Sequence, residues 1–289
     1  MPQSVDELIA LLDLETLEEG RYRGRQPDTA LQRVFGGQVA GQALVAAART
    51  TGADRLVHSL HAYFLRPGDT RVPIVYDVER TRDGRAFSTR RVVARQHGVD
   101  GAPIFYMSAS FQAPEEGLDH QDPMPEVAPP EECPELGDVL ARLTKRPRDE
   151  WDREWAALDV RYAGDTRSDR ELDGSAHPAQ SRVWLRAAGP LGDDPAVHAA
   201  VLAYASDLTL LSASVLPHGT WIGDPRLQPA SLDHAMWFHR PLRADEWLLY
   251  DQVSPSASGG RGFATGNLFA IDGRLVATAV QEGLVRLRR

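Results

Sequence analysis

The residues best suited to chemistry lie in the second half of the sequence. Asp207 stands in "YASDLTLL" (204–211) among Leu202, Ala203, Leu208, Leu210 and Leu211, in a run that reads as the middle of a buried helix. A carboxylate buried among leucines is costly unless it is paired, so it needs a partner or a purpose. Two readings stay open at this point: an acid held by backbone or hydroxyl donors, or a base tuned by its surroundings. Gln281 follows the apolar run "RLVATAV", where a buried amide needs several partners, and structural satisfaction would account for it as well. Ser231, at a strand start, reads on its own as a turn-bonding or solvated hydroxyl. The phrase "LDHAMWFHRP" (232–241) adds Asp233, His234, Trp237, His239 and Arg240. Its two histidines are five apart on an expected strand, hence on opposite faces, and no third ligand stands nearby, so no metal site is expected. Asp233 and His234 are strand neighbours that face opposite ways, which argues against a dyad. His234 and His239 read as packing residues and Trp237 as core.

Other chemistries are excluded by what the sequence lacks. There is no G-x-S-x-G elbow and no alternation of strands with helices, which disfavours a serine-nucleophile hydrolase. The single lysine, Lys145, sits in the charged run "TKRPRDEWDRE" and offers no buried amine. The single cysteine, Cys133, lies in an acidic, proline-rich stretch that would not favour a thiolate, and it reads as inert. No cofactor is implied.

The elements that must position these residues come in two copies. The phrase at 232–241 has an echo, "LHAYFLRP", at 60–67, and landmarks recur in order behind both: Tyr76-Asp77 and Tyr250-Asp251, "GRAFSTR" (84–90) and "GRGFATG" (260–266), "VDG" (99–101) and "IDG" (271–273), at separations of 172–176 residues. Before the first phrase, "GGQVAGQALVAAART" (36–50) has the small, uncharged composition of a helix buried nearly all round. Before the second, "DPAVHAAVLAYASDLTLLSASV" (194–215) is its counterpart, with Asp194 as N-cap and Pro195 at N1. Alternating runs such as "VPIVYDVER", "FSTRRVVARQ" and "IFYMSASFQ" read as antiparallel strands. "LEEGRYRG" (17–24) and "LDVRYAG" (158–164) read as the matching first strands of the two units. The expected fold is therefore α+β: two units, each a central helix wrapped by a curved antiparallel sheet. Residues 1–115 and 150–289 form the units and 116–149 the linker. Within and before that linker, 113–135 is too polar to pack and too proline-interrupted to pair, while a short helix is expected at 136–144. Ser4 and Glu7 form a capping-box pattern ahead of "LIALL". The first helix carries no acid between Asp28 and Asp54, so whatever Asp207 does belongs to the second copy alone.

Bulk properties bound the partners. The 289 residues are 42% hydrophobic, enough for a large core, and the formal net charge is −9 from 41 acids against 32 basic residues. That balance argues against a nucleic-acid partner, since phosphate neutralisation needs clustered cations. No run of about 18 apolar residues is read as a bilayer span, no membrane partner is expected, and the acidic N-terminus lacks the look of a secretory signal, which points to the cytoplasm.

Several stretches resemble one family. "RVFGGQVAGQAL", "YASDLTLL", "ASLDHAMWFHRP" (230–241), "EWLLYDQVSPSASGGRGF" (246–263) and "VATAVQEG" (276–283) are similar to the acyl-CoA thioesterase II family, whose members are double-hotdog hydrolases. The resemblance runs over both halves. It implies an acyl-CoA substrate and a catalytic set made of Asp207, Ser231 and Gln281, which together hold the water that attacks the thioester. Serine at 231 is a variant of the family's serine or threonine. A backbone N–H at a helix N-terminus is the expected oxyanion donor. Arg240 and Arg261 are the candidate partners for CoA phosphates. A hotdog hydratase or dehydratase is disfavoured because its histidine signatures are absent. A non-catalytic acyl-CoA binding or sensing protein on the same fold remains the alternative, opposed by the intact set of three. Association of the chain with further copies is also open.

Overall fold

The computed structural model describes residues 1–98, 101–165 and 172–288; Val99 and Asp100 of the first "VDG" landmark lie outside them. The first unit contains α1 (Val5–Leu12), β1 (Glu15–Glu18), β2 (Arg21–Gly24), α2 (Gly36–Ala48), β3 (Leu56–Phe64), β4 (Ile74–Asp83), β5 (Phe87–Arg95) and β6 (Pro103–Gln112). After α3 (Leu136–Thr144) and α4 (Asp149–Trp155), the second contains β7 (Leu158–Gly164), β8 (Gln180–Ala187), α5 (Pro195–Ser206), β9 (Leu227–Ser231), β10 (Asp233–Phe238), β11 (Leu248–Ser258), β12 (Arg261–Ala270) and β13 (Leu275–Leu287).

The repeated phrase is a seam. Its copies lie on β3 and β10, and these strands pair antiparallel with each other, Ala62 opposite His234 and Leu60 opposite Met236. Outward from that seam the order is β6-β5-β4-β2-β1 on one side and β13-β12-β11-β8-β7 on the other, giving one 13-stranded sheet with β9 paired to the far half of β13. Strand alternation sets the inner face: on β6, Phe105, Met107, Ala109 and Phe111 are buried while Ser108 is exposed. The buried side packs on α2 and α5, which run antiparallel in contact. Gly37 permits this approach, since a Cβ there would collide with the Tyr204 carbonyl oxygen. Gly41, one turn on, would bring its Cβ 3.0 Å from the Ala200 carbonyl oxygen.

The expected N-caps form: Ser4 Oγ accepts the Glu7 N–H at 3.2 Å, and the Asp194 side chain accepts the Ala196 N–H. Three expectations need correction. The helix read as 194–215 ends at Ser206, Asp207 is its C-cap rather than a mid-helix residue, and the chain resumes as a 3₁₀ turn over Leu210–Ser214. The break is held from the sheet: Tyr250 Oη donates to the Ser206 carbonyl at 3.2 Å and Gln252 Nε2 to Thr209 Oγ1 at 2.8 Å. Second, β7 does not occupy the place of β2. It is β8 that sits beside β11 as β2 sits beside β4, and the ion pairs repeat accordingly, Arg21–Asp77 (2.6 Å) and Arg182–Asp251 (2.8 Å).

Third, the acidic segment before α3 does pack. Met124, Val127, Ala128 and Cys133 join Ala163, Trp184, Trp247, Leu249 and Phe269 in a second, smaller core, and Trp184 Nε1 donates to the Ala128 carbonyl at 2.9 Å. A proline-rich segment has less conformational freedom to lose, so a few apolar residues suffice to dock it. The stretch Pro195–His218 has the length and apolarity of a membrane span, but 83% of its apolar 18-residue window is buried inside the protein as core.

Candidate active site

The seam ends where its strands meet the helix pair, and the three expected site residues converge there. Asp207 arrives from the C-cap of α5, Ser231 from the last position of β9, and Gln281 from an inward-facing position of β13. Ser231 Oγ donates to Asp207 Oδ1 at 3.0 Å, Gln281 Nε2 donates to the same oxygen, and Gln281 Nε2 lies 3.0 Å from Ser231 Oγ. An ionised carboxylate only accepts, so the amide nitrogen must face it and the serine hydroxyl must accept from Gln281 while donating to Asp207. Gln281 is fully buried, and its Oε1 has no hydrogen-bond partner among the described residues.

The other side of the carboxylate meets the start of α2. A Cβ on Gly36 would stand 2.6 Å from Asp207 Oδ2 and 2.9 Å from the Phe64 ring, and the backbone N–H of Gly37 faces the carboxylate. Among the described residues no side chain caps α2, whose N-cap is Phe35. Burial raises the Asp207 carboxyl from 3.8 to about 6; the bonds from Gln281 and Ser231 and the Gly37 N–H oppose that rise without cancelling it. The result is a carboxyl that titrates near neutrality, confined between an amide, a hydroxyl and the positive end of a helix.

Residues 152–284 match the acyl-CoA thioesterase family, and residues 25–112 match the acyl-CoA thioesterase N-terminal domain. The chain belongs to the acyl-CoA thioesterase family. It is 38% identical to acyl-CoA thioesterase 2 of Haemophilus influenzae, over 99% of each chain, and 42% identical to human acyl-coenzyme A thioesterase 8, over 96% of this chain and 88% of that one. The crystal structure of an acyl-CoA thioesterase II, TesB2, from Mycobacterium marinum superimposes with a TM-score of 0.81 at 48% identity, covering 99% of both chains. A hotdog-fold protein from Alicyclobacillus acidocaldarius, 20% identical with a TM-score of 0.76 over 98% of this chain and 99% of that one, shares the fold.

The two arginines assigned to CoA phosphates are engaged elsewhere in this thioesterase family member. Arg240 donates to the Leu275 and His120 carbonyls and pairs with Asp119, so it straps the linker to β13. Arg261 pairs with Glu282 at 2.9 Å on the β12–β13 ladder. Both pairings come from segments distant in sequence, which spacing could not reveal. Trp237 is half-buried on the outer face of the seam, edge-on to His61, and is not core. His234 is fully buried behind the site with Nε2 2.8 Å from Ser206 Oγ, and burial lowers it to about 4, so its imidazole is neutral. Asp233 accepts the Glu282 N–H at 2.7 Å and so fixes the strand carrying Gln281. Gly36, Gly37 and Phe64 were not singled out as site residues; the paired glycine at the head of an uncharged helix was the available signal. Among the described residues no group of three or more His, Cys, Asp or Glu is placed to hold a metal ion.

Proposed function

We propose that the protein hydrolyses acyl-CoA thioesters to a fatty acid and CoA by direct attack of a water held by Asp207, Ser231 and Gln281. The observation that carries the reading is the half-buried carboxylate, raised to about 6, that accepts from both Ser231 and Gln281 and abuts the first turn of α2. In this mechanism the water donates one hydrogen bond to Asp207 and another to Gln281 Oε1, a buried acceptor with no partner among the described residues. Asp207 takes the proton as the water oxygen bonds to the thioester carbon. The negative charge formed on the carbonyl oxygen is met by the backbone N–H groups at the start of α2. Collapse of the tetrahedral intermediate breaks the C–S bond. A thiol of pKa about 8.5, by analogy with cysteine, leaves readily as the thiolate, and the proton on Asp207 then passes to it or to solvent. No acyl-enzyme forms.

The test is thiol release from acyl-CoAs of increasing chain length by the wild type and by Asp207→Asn. Loss of the base is expected to lower kcat by about 10²–10⁴. No turnover by the wild type, with saturable acyl-CoA binding, would replace the hydrolase by a sensor; full activity in the variant would remove Asp207 as the base.

A further inference from the structure

We infer that Arg33 and Arg66 form a cationic rim that holds the phosphates of a CoA thioester whose acyl end lies against Asp207; the inference rests on the hydrolase reading above. Both routes leaving the site lead to these residues. Going backwards from Gly36, the chain passes Phe35, wedged between Trp155 and Tyr204, and Val34 before surfacing at Arg33. Forwards from Phe64, whose N–H is bonded to the Leu232 carbonyl at 2.9 Å, it passes the exposed Leu65 and surfaces at Arg66. The Val34 N–H donates to the Gly68 carbonyl at 3.1 Å and ties the two routes together, one residue from Arg33 and two from Arg66.

Their charges are uncommitted. Among the described residues neither arginine pairs with a carboxylate, and Arg66 spends one nitrogen on the Pro103 carbonyl at 2.7 Å. This contrasts with Arg240 and Arg261, which acids already hold. The nearest acid along the rim, Asp69, is chelated by Arg71 at 2.8 Å and also accepts the Arg71 N–H at 2.9 Å, leaving the rim positive on a chain of net charge −9. Three peptide units separate Arg33 from Gly36, at most about 11 Å between Cα atoms, a span that the pantetheine arm of CoA bridges between its thioester and its pyrophosphate. Guanidinium groups match such phosphates by forked, charge-assisted bonds.

Pyrophosphate and 3′-phosphate are both candidate anions, and three thioesters of one acyl chain separate them: acyl-CoA, acyl-dephospho-CoA and acyl-pantetheine. The readout is the ratio of kcat/KM between substrates, for the wild type, Arg33→Gln, Arg66→Gln and the double variant, with thermal unfolding as the check on folding. Expected are a wild-type preference for acyl-CoA over acyl-pantetheine and a tenfold or greater loss of that preference in each single variant, arising in KM, with Arg33→Lys partly restoring it. Loss confined to the acyl-CoA/acyl-dephospho-CoA ratio assigns the rim to the 3′-phosphate; loss that persists with acyl-dephospho-CoA assigns it to the pyrophosphate. Folded variants that keep the wild-type preference would overturn the inference while leaving the hydrolase intact. A wild type that cleaves none of the three would remove both.

Discussion

At the scale of single residues, the proposed mechanism turns on one ionisation. With its folded value near 6, Asp207 is mostly ionised at pH 7.5 and mostly protonated at pH 5, so kcat/KM should fall on acidification with an apparent pKa near 6. Gln281→Glu would place a second carboxylate against it, and like charges at hydrogen-bond distance keep one proton longer. The acidic limb of the pH–rate profile is therefore expected to move up by a unit or more in that variant, and a limb that stays near 6 would show that another group controls the rate. The same raised value has a consequence for stability. The group's contribution is fully present below its ordinary 3.8 and is lost as pH rises through about 6, a difference of about 3 kcal/mol at neutral pH. Asp207→Asn should accordingly unfold at a higher temperature than the wild type at pH 7.5, and the gap should close near pH 4. A variant no more stable at pH 7.5 would mean that the bonds to Ser231, Gln281 and Gly37 fully offset burial. Asp207 was legible in the sequence because an acid among leucines is conspicuous. Its partners were less so, because a lone serine and a lone glutamine look like any others until a family pattern is recognised.

At the scale of elements, the close approach of α2 to α5 is what brings Gly37 to Asp207. A methyl group at position 37 would collide with the Tyr204 backbone, which cannot move aside as a flexible side chain could. Gly37→Ala should destabilise the fold by about 1–3 kcal/mol through overpacking and lower activity as well, since separating the helices withdraws the amides from the site. Gly41→Ala, whose Cβ would meet the Ala200 carbonyl at 3.0 Å, is the milder control. Equal urea midpoints for the two variants would show that the helix contact is softer than its geometry indicates. The strands were readable from their period, and the starts of α1 and α5 from capping. The end of α5 was not: Leu208 to Leu211 continue an apolar run without a glycine or proline, and the break is imposed by Tyr250 and Gln252, more than forty residues away in sequence.

At the scale of the whole molecule, the duplicated fold places the proposed catalytic set in one copy only, and the sheet register shows what stands in its place in the other. Gln281 of β13 sits opposite Ala264 of β12; in the first unit the corresponding strands β6 and β5 place Ala109 opposite Arg90. Small and large residues have changed places. Arg90, 1% exposed, fills the space at the end of α2, donating to Thr50 Oγ1 at 2.8 Å, to the Thr50 and Arg82 carbonyls at 2.9 Å, and to Asp83 at 2.6 Å. Where the second unit holds an acid at the end of its helix, the first holds a cation that caps its helix. The repeat itself was plain in the sequence. This exchange was not, because it depends on which residues face each other across strands, and neither was the docking of the linker, whose partners, Trp184 and Trp247 among them, belong to the second unit. If Arg90 serves only the fold, Arg90→Met should lower stability by about 3 kcal/mol by leaving the Thr50 and Arg82 acceptors without their donor, yet keep kcat/KM per folded molecule within a few-fold of the wild type. Gln281→Ala should do the reverse, removing most of the activity at little cost in unfolding temperature. A loss of turnover in folded Arg90→Met comparable to that in Gln281→Ala would mean that the first unit still contributes to catalysis, and that the two copies are less unequal than their side chains make them.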